Sequence, residues 1–347
     1  MAEAPMRDAA ARAALSGELA ALHLRVAQPG DPPLFTRDPA SSMQPIHWKA
    51  AELQRMMEKI GAHLKLEDGG QRRTLRLTNP GLPYGTTPTF WCSIQVILPG
   101  EIATAHRHTA TALRFIMQGS GANTTVEGEQ YAMNEGDLLL TPSWTWHDHE
   151  HCGDAPMVWL DVLDISLVRA MHATFFEPGA APRMPVNQHA QGSFMRYGSA
   201  LMRPLNSRPP GPSSPMLGYD RARAEEALAN AATVETDPFD DTALMYQNPT
   251  SGGPALPTIG TVLQRLRPGF QGRAHRHTGS VVYYVVRGSG VSIVAGDEFR
   301  WGKGDFVAVP PWAAHLHSNP GPEEAVLFQV NDIPAMQALG LYREEAC

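Results

Sequence analysis

The sequence predicts a mainly β protein built of two similar barrels with a few flanking helices. Three observations predict it. A histidine-bearing pattern occurs twice: AHRHT at 105–109, then RFIMQGSG and EGDLLLTPSWTWH ending at His147; and AHRHT at 274–278, then YYVVRGSG and KGDFVAVPPWAAH ending at His315. His106 and His275 lie 169 residues apart and His147 and His315 lie 168 apart, so one unit is duplicated. Around each copy, short stretches rich in Val, Ile, Leu, Phe and Trp alternate with Gly, Pro and Asp turns, the mark of a β-sandwich or barrel. Finally, 347 residues suffice for two domains with substantial cores.

Taken in order, residues 7–24 carry Ala and Leu at helical spacing with charges between them, which predicts a short helix. Pro32, Pro33 and Pro39 interrupt any regular structure after it. A second helix fits 48–63, with Leu53, Met56, Met57 and Ile60 on one face. The strand-like stretches begin near Thr74: WCSIQVIL, ALRFIMQG, NTTVEGEQYAM, DLLLTP and MVWLDVLD. Residues 175–219, rich in Pro, Gly and Ser, read as a linker or an arm laid on a neighbouring domain. Residues 222–232 predict another short helix, and strands return from Pro257. The expected organisation is a helical arm over 1–70, a first barrel over 71–177, a Pro-rich linker with a short helix over 178–240, and a second barrel over 241–347.

Composition is that of a globular protein. Lys and Arg total 28 against 35 Asp and Glu, a formal charge of −7, with no basic block. Neither nucleic acid nor an anionic membrane surface is expected as a partner. The cysteines Cys92, Cys152 and Cys347 are odd in number and irregularly spaced, which argues against a disulfide framework and fits a reducing cytoplasm. No apolar run is long enough to span a bilayer, and the N-terminus lacks the features of a cleaved signal.

The histidines carry the chemistry. Alternate residues of a strand share a face, so H-x-H aims His106 and His108 into one space. His147 comes after the Gly136–Asp137 turn and the Pro142 stretch on a later strand, which in a small barrel can lie opposite. Three neutral imidazoles leave coordination positions open on a transition metal, whereas structural zinc prefers a closed shell, usually with cysteine. Histidines kept only for hydrogen bonding would not need the same three-ligand layout twice. His23, His63, His172 and His189, by contrast, read as ordinary surface or hydrogen-bonded residues.

The patterns from Gly100 to His108 and through Gly136, Pro142 and His147 resemble the cupin signature. Many cupins place a glutamate shortly after H-x-H; here Ala112 and Leu113 stand in one copy and Val281 and Val282 in the other, which points to a three-histidine subgroup. Within it, NPGLP at 79–83, LPGEIATAHRHTATALRFI, TPSWTWHDH and VWLDVLD are similar to the gentisate and salicylate 1,2-dioxygenases, over most of 72–176 and more loosely over the second copy. The resemblance implies a bicupin of two double-stranded β-helix (jelly-roll) barrels, with Fe(II) on His106, His108 and His147. It implies extradiol-type, oxygen-dependent cleavage of an aromatic acid between its carboxylate- and hydroxyl-bearing ring carbons. It also implies a homotetramer or other homo-oligomer.

On this reading Arg114 has the parity of the H-x-H pair and flanks of Leu113, Phe115 and Ile116, so it is a candidate to clamp the substrate carboxylate. The resemblance assigns Arg72 and Arg76 to the same carboxylate; a solvated charge pair of Arg72 with Arg73 is the other reading. It places Gln95 and Trp91 in the pocket, and His149 is a candidate to move a proton. Asp161 sits near the ring substituent or else orients a ligand imidazole. Tyr84 and the segment GTTPTF depart from the expected family pattern, and Ser93 occupies a position usually small in the group; all lie where selectivity is set. In the second copy Tyr283 replaces Arg114 and Gln329 replaces Asp161, while His275, His277 and His315 persist as a candidate second metal trio. Competing functions are a 1-hydroxy-2-naphthoate dioxygenase, a Zn or Mn cupin isomerase or hydrolase, and a non-catalytic metal-binding bicupin that stores or senses a small ligand.

Overall fold

The computed structural model describes residues 4–27, 30–65, 72–206, 211–234 and 236–347. The chain forms two compact units, Met1–Ala40 and Ser41–Cys347. The first holds one alanine-rich helix, α1 (Ala4–Ala21), and beyond it Arg25 pairs with Asp31 at 2.6 Å. The arm expected over 1–70 thus divides at Ala40, because α2 (Ala50–His63) buries Leu53 and Met57 in the core of the second unit. The domain boundary expected at residues 70 and 71 lies outside the described residues. Among the described residues no helix is long and apolar enough to cross a membrane.

After β1 (Ile46–Trp48) come the strands of the first barrel. They are β2 (Arg73–Arg76), β3 (Trp91–Ile97), β4 (Ile102–His108), β5 (Ala112–Gln118), β6 (Ser120–Val126), β7 (Glu129–Asn134), β8 (Leu138–Thr141), β9 (His147–His151) and β10 (Met157–Leu163). Helix α3 (Ile165–Ala170), β11 (Phe176–Pro178), helix α4 (Gly192–Tyr197), β12 (Gly218–Tyr219) and α5 (Arg221–Ala231) come next. One sheet runs β12-β8-β5-β10-β3-β2 and faces β11-β4-β9-β6-β7. Successive residues of β3, β5 and β10 point to opposite faces. Ile97, Ile116, Met157 and Trp159 pack inside the barrel with Tyr131, Met133 and Leu139. Cys92, Ile94, Val96, Leu113, Phe115, Val158, Leu160 and Val162 belong to the opposite face and join the larger core. Burial on both faces explains why these strands read as nearly unbroken apolar runs.

The second barrel repeats this plan with β13 (Thr242–Met245), β14 (Gly260–Leu266), β15 (Phe270–Gln271), β16 (His275–His277), β17 (Val281–Arg287), β18 (Ser289–Val294), β19 (Asp297–Gly302), β20 (Phe306–Val309), β21 (His315–Asn319) and β22 (Ala325–Asn331). Helix α6 (Ile333–Ala338) and β23 (Glu344–Ala346) end the chain. The sheets run β1-β20-β17-β22-β14-β13 and β19-β18-β21-β16-β23, with β15 also on β21. The two barrels meet through the outer faces of their larger sheets, where Phe115 stacks on Phe328 with ring centroids 4.0 Å apart. Truncating either ring to alanine costs about 3–5 kcal/mol.

Each barrel is closed by the segment that precedes the other. β1 pairs with β20 in register Ile46↔Ala308 to Trp48↔Phe306, and β12 pairs with β8 at Gly218↔Leu139 and Tyr219↔Leu138. The aspartates of the two Gly–Asp turns hold the helices that come after these closing strands: Ala50 N donates to Asp305 Oδ1 (2.7 Å) and Arg221 N to Asp137 Oδ1 (3.0 Å). A second reciprocal tie lies nearer the barrel mouths. Thr258 Oγ1 donates to Asp164 Oδ2 (2.6 Å), and Thr89 Oγ1 donates to Asp332 Oδ2. Asp164 also accepts from Thr111 N and Asp332 from Ser280 N, both at 2.7 Å, so each aspartate pins the turn after its own H-x-H strand.

Candidate active site

His106 and His108 lie on β4, and His147 opens β9 with its Cα opposite that of His106. The ligand nitrogens of the three all lie within 4.8 Å of one another. Each ring is set by a backbone carbonyl, which only accepts: Nδ1 of His106 donates to Thr104 O (2.7 Å), of His108 to Ala110 O (2.7 Å) and of His147 to Thr145 O (3.0 Å). That fixes one tautomer for all three and turns every Nε2 lone pair toward the shared space, where that of His106 already accepts from Arg72. Nε2 of His147 is buried without a hydrogen-bond partner. Burial is the main cause that lowers the three imidazoles, His106 to about 3, His108 to about 4 and His147 well below its ordinary value, with nearby Arg72 or Arg114 adding to it. All three are therefore neutral at neutral pH, as metal ligands must be. The trio fits a first-row divalent ion by donor type, with no thiolate beside it: Cys92 packs in the core between the barrels, and Cys152 and Cys347 are exposed.

The turn before His147 is braced. Trp144 adopts φ 61°, uncommon for a bulky residue, and its N–H donates to the His108 carbonyl at 2.8 Å. The guanidinium of Arg107 covers Trp144 and Trp146 from outside, 4.4 and 4.7 Å from their ring centroids. This joins the second and third histidines through main chain rather than through flexible side chains.

Charged residues stand beside the trio on the facing sheet. Arg114 and Asp161 are cross-strand neighbours on β5 and β10, both buried, with Nε and Oδ1 3.1 Å apart in an ion pair that lacks hydrogen-bond alignment. Arg114 Nη1 donates to Thr141 Oγ1 at 2.6 Å. Asp161 therefore serves Arg114; no ligand imidazole is oriented by it, that task falling to the three carbonyls. Arg72 donates through Nη1 to Gln95 Oε1 (3.3 Å) and through Nη2 to His106 Nε2 (2.9 Å). The solvated pair of Arg72 and Arg73 does not exist. Arg73 turns the other way, buried, and binds the Glu101 carboxylate and the Leu64 carbonyl. Burial lowers Arg72 to about 10 and lowers Arg114 as well, with Asp161 opposing in both.

His149 is buried beside the trio, its ring 6.0 Å from that of His147 and 5.6 Å from Trp159, and neither of its nitrogens has a hydrogen-bond partner. Trp91 meets Tyr84 edge to face at 4.3 Å. Arg76 is exposed, its guanidinium 5.0 Å from the Trp91 ring, so it is near the aromatic pair and not among the buried charges. Three contributors went unseen in the sequence. Phe176 stacks on His106 at 5.4 Å, Thr141 holds Arg114, and Arg169 covers Tyr84 at 4.4 Å. Only Thr141 had a signal, since it lies one residue before Pro142 in the recurring pattern.

The second barrel gathers His275, His277 and His315 with ring centroids 4.4, 5.0 and 5.8 Å apart, against 4.3, 4.9 and 5.5 Å in the first. Its wall differs: Tyr283 and Gln329 are the cross-strand pair where Arg114 and Asp161 stand.

Two segments, 93–163 and 262–331, match the cupin domain family. The chain is 38% identical over 316 residues to a 5-aminosalicylate 1,2-dioxygenase of Comamonas sp, spanning 89% of this chain and 83% of that one. It is 36% identical to gentisate 1,2 dioxygenase 1 of Aquipseudomonas alcaligenes, spanning 90% and 89%. The crystal structure of a salicylate 1,2-dioxygenase from Pseudoaminobacter salicylatoxidans, in adducts with gentisate, superposes with a TM-score of 0.88 at 32% identity, covering 100% of this chain and 95% of that one.

Proposed function

The chain belongs to the bicupin gentisate and salicylate 1,2-dioxygenase family of aromatic ring-cleaving enzymes, and on that basis we propose that it opens a benzoate bearing an ortho hydroxyl group, with Fe(II) on His106, His108 and His147. Gentisate, salicylate and substituted salicylates such as 5-aminosalicylate form the substrate class. The bond cut joins the carboxylate-bearing and hydroxyl-bearing carbons, and both atoms of O2 enter the product. The observation that carries the reading is the pairing of three converging, neutral Nε2 atoms with a buried arginine on the facing sheet.

When bound, Fe(II) supplies a Lewis-acidic, redox-active centre for the hydroxybenzoate and O2. The protein's part is binding and orientation. Arg114 faces the carboxylate with a guanidinium already desolvated and held by Asp161 and Thr141, so little reorganisation is needed. Arg72 occupies the one lone pair of His106 Nε2 that a metal ion would take; displaced from it, the guanidinium would meet the incoming anion while Gln95 keeps it in place. Arg76 draws the anion to the mouth, Trp91 and Tyr84 wall the ring, and His149, with both nitrogens unengaged, takes and returns the hydroxyl proton.

Anaerobic loading with Fe(II), followed by oxygen uptake on gentisate, salicylate, 5-aminosalicylate and halo- or nitro-salicylates, tests this. Uptake matched to loss of ring absorbance is expected with at least one. No uptake with any of them defeats the proposal.

A further inference from the structure

The barrels repeat more than their histidines. Pro88–Thr89 and Pro257–Thr258 are 169 residues apart, as are Thr111 and Ser280, and Asp164 and Asp332 are 168 apart. The threonines and aspartates of these pairs make the crossed ties near the barrel mouths. What each tie holds differs. Tyr84 and Trp91 stand in the loop that Thr89 anchors, whereas the equivalent residues around Thr258 are Gly253 and Gly260.

Residues 79–90 form neither strand nor helix, and threonine hydroxyls shape their second half. Thr86 Oγ1 accepts from Cys92 N at 2.8 Å and donates to the Leu77 carbonyl. Thr87 Oγ1 accepts from Phe90 N at 3.0 Å. Thr89 Oγ1 instead reaches the other barrel and donates to Asp332 Oδ2. Asp332 follows β22, is fully buried and has no freedom to swing: Ser280 donates to Oδ1 through N and to Oδ2 through Oγ, both at 2.7 Å. On the near side the Thr89 carbonyl accepts from Leu167 N of α3 at 2.9 Å. The loop is thus gripped between α3, whose Arg169 covers Tyr84, and the second barrel. Two residues after Thr89, Trp91 has the strand parity of Gln95 and Ile97, which face the barrel interior, and its ring meets Tyr84.

We propose that Asp332, acting through Thr89, is a positioning residue for the first site: the second barrel sets where the Tyr84–Trp91 wall stands, and with it the fit of the aromatic ring. This rests on the first barrel being the ring-cleaving site. Neither Asp332 nor Thr89 touches the reacting atoms. A carboxylate fixed by a main-chain N–H offers its remaining donor one geometry, so the contact transmits position. The mirror tie, from Thr258 to Asp164, holds a loop with glycines at the wall positions and serves as the control.

Thr89→Val removes the hydroxyl and keeps the side chain's shape, Thr258→Val does the same to the mirror tie, and Thr89→Ser restores the hydroxyl. Amide hydrogen exchange on the full chain needs neither metal nor substrate. Thr89→Val should speed exchange across 82–92 by about 10-fold or more, and Thr258→Val across 251–261 instead, while Thr89→Ser matches the parent. In the iron-loaded enzyme Thr89→Val should raise the KM for the aromatic acid about 10-fold with kcat within about threefold, and Thr258→Val should leave KM as it is. Unaltered exchange over 82–92 in Thr89→Val overturns the grip, as does a Thr89→Ser chain that exchanges like Thr89→Val. Loosened exchange with the same KM in Thr89→Val and Thr258→Val overturns its bearing on the site. A parent that opens no aromatic acid defeats the function itself, and the exchange pattern still decides whether Asp332 holds the loop.

Discussion

The two barrels hold equivalent histidines in equivalent places and differ in almost everything that would touch a substrate. Arg114 and Asp161 face the first trio; Tyr283 and Gln329 face the second. His149 has two unengaged nitrogens, whereas its counterpart His317 shares a hydrogen bond through Nδ1 with Ser292 Oγ at 2.7 Å, and Ser292 in turn accepts from Trp301 Nε1 at 2.8 Å. Thr124, at the position of Ser292, turns its hydroxyl to the Asp148 carbonyl instead and leaves His149 alone. The histidine trios are thus the constant part of the design. Strand parity places them wherever the sheet forms, and main-chain carbonyls hold all the rings but that of His275, while a few inward side chains decide whether an anion can approach.

The largest effect expected is on turnover. His147→Ala should lower kcat/KM by more than about 100-fold, beyond what losing an outer partner of a metal ligand costs, whereas the same change at His315 should leave the Fe(II) content of the first trio intact. Comparable losses of first-site iron from both variants would erase the distinction between the barrels. Next comes the wall. Arg114→Leu strands Asp161 as a buried, unpaired carboxylate and should destabilise the protein by about 3–5 kcal/mol. The double change Arg114→Tyr/Asp161→Gln installs the pair found in the second barrel and should recover most of that stability with no recovery of ring cleavage. Urea unfolding beside oxygen uptake separates the two, and an active double variant would refute the role given to Arg114.

A smaller effect concerns the ties between the halves. Burial lifts the Asp164 carboxyl from 3.8 to about 6. The folded state then keeps a proton that the unfolded chain has already lost. Stability from this group is full below pH 4 and falls as pH rises to about 6, by on the order of 3 kcal/mol at about 1.4 kcal/mol per unit. Asp164→Asn should remove that fall, read as the difference between the two proteins in urea midpoints from pH 4 to 7; parallel curves would exclude it. The smallest expected change is at the Gly–Asp turns. The helix-turn bond that Asp305→Ala and Asp137→Ala each remove is worth about 1 kcal/mol. Asp305 also holds Gly302 N and His47 Nε2, and Asp137 holds Asn134 through N and Nδ2. The change isolating the helix bond is therefore Ala50→Pro against Arg221→Pro, and unequal losses from that pair would show that the two closures are not equivalent.

The duplicated pattern made the barrels and both histidine trios legible, because duplication preserved spacing to within one residue. Arg114 was legible for a related reason: a charge inside an apolar strand, at the parity of the ligands, has to face the same space. The partner of Arg73 was not legible, since Glu101 lies 28 residues away and nothing local distinguishes Arg73 from Arg72. Nor was β1, three residues long and too short for any periodicity, whose pairing with Phe306, Val307 and Ala308 spans most of the chain. Phe176 and Glu344 reach the two trios on short strands whose pairing is set by the barrels they edge, so their side chains carry no signal until those barrels are closed.

The crossed closures have a practical outcome for anyone who cuts this polypeptide. Severed anywhere between the barrels, the N-terminal piece carries the border ribbon its sister requires, and the C-terminal piece carries the reverse, wherever the cut precedes Gly218. Each would present a bare row of main-chain donors and acceptors, prone to self-association. Mixed together, the two should complement one another, whereas neither would behave as a stand-alone module.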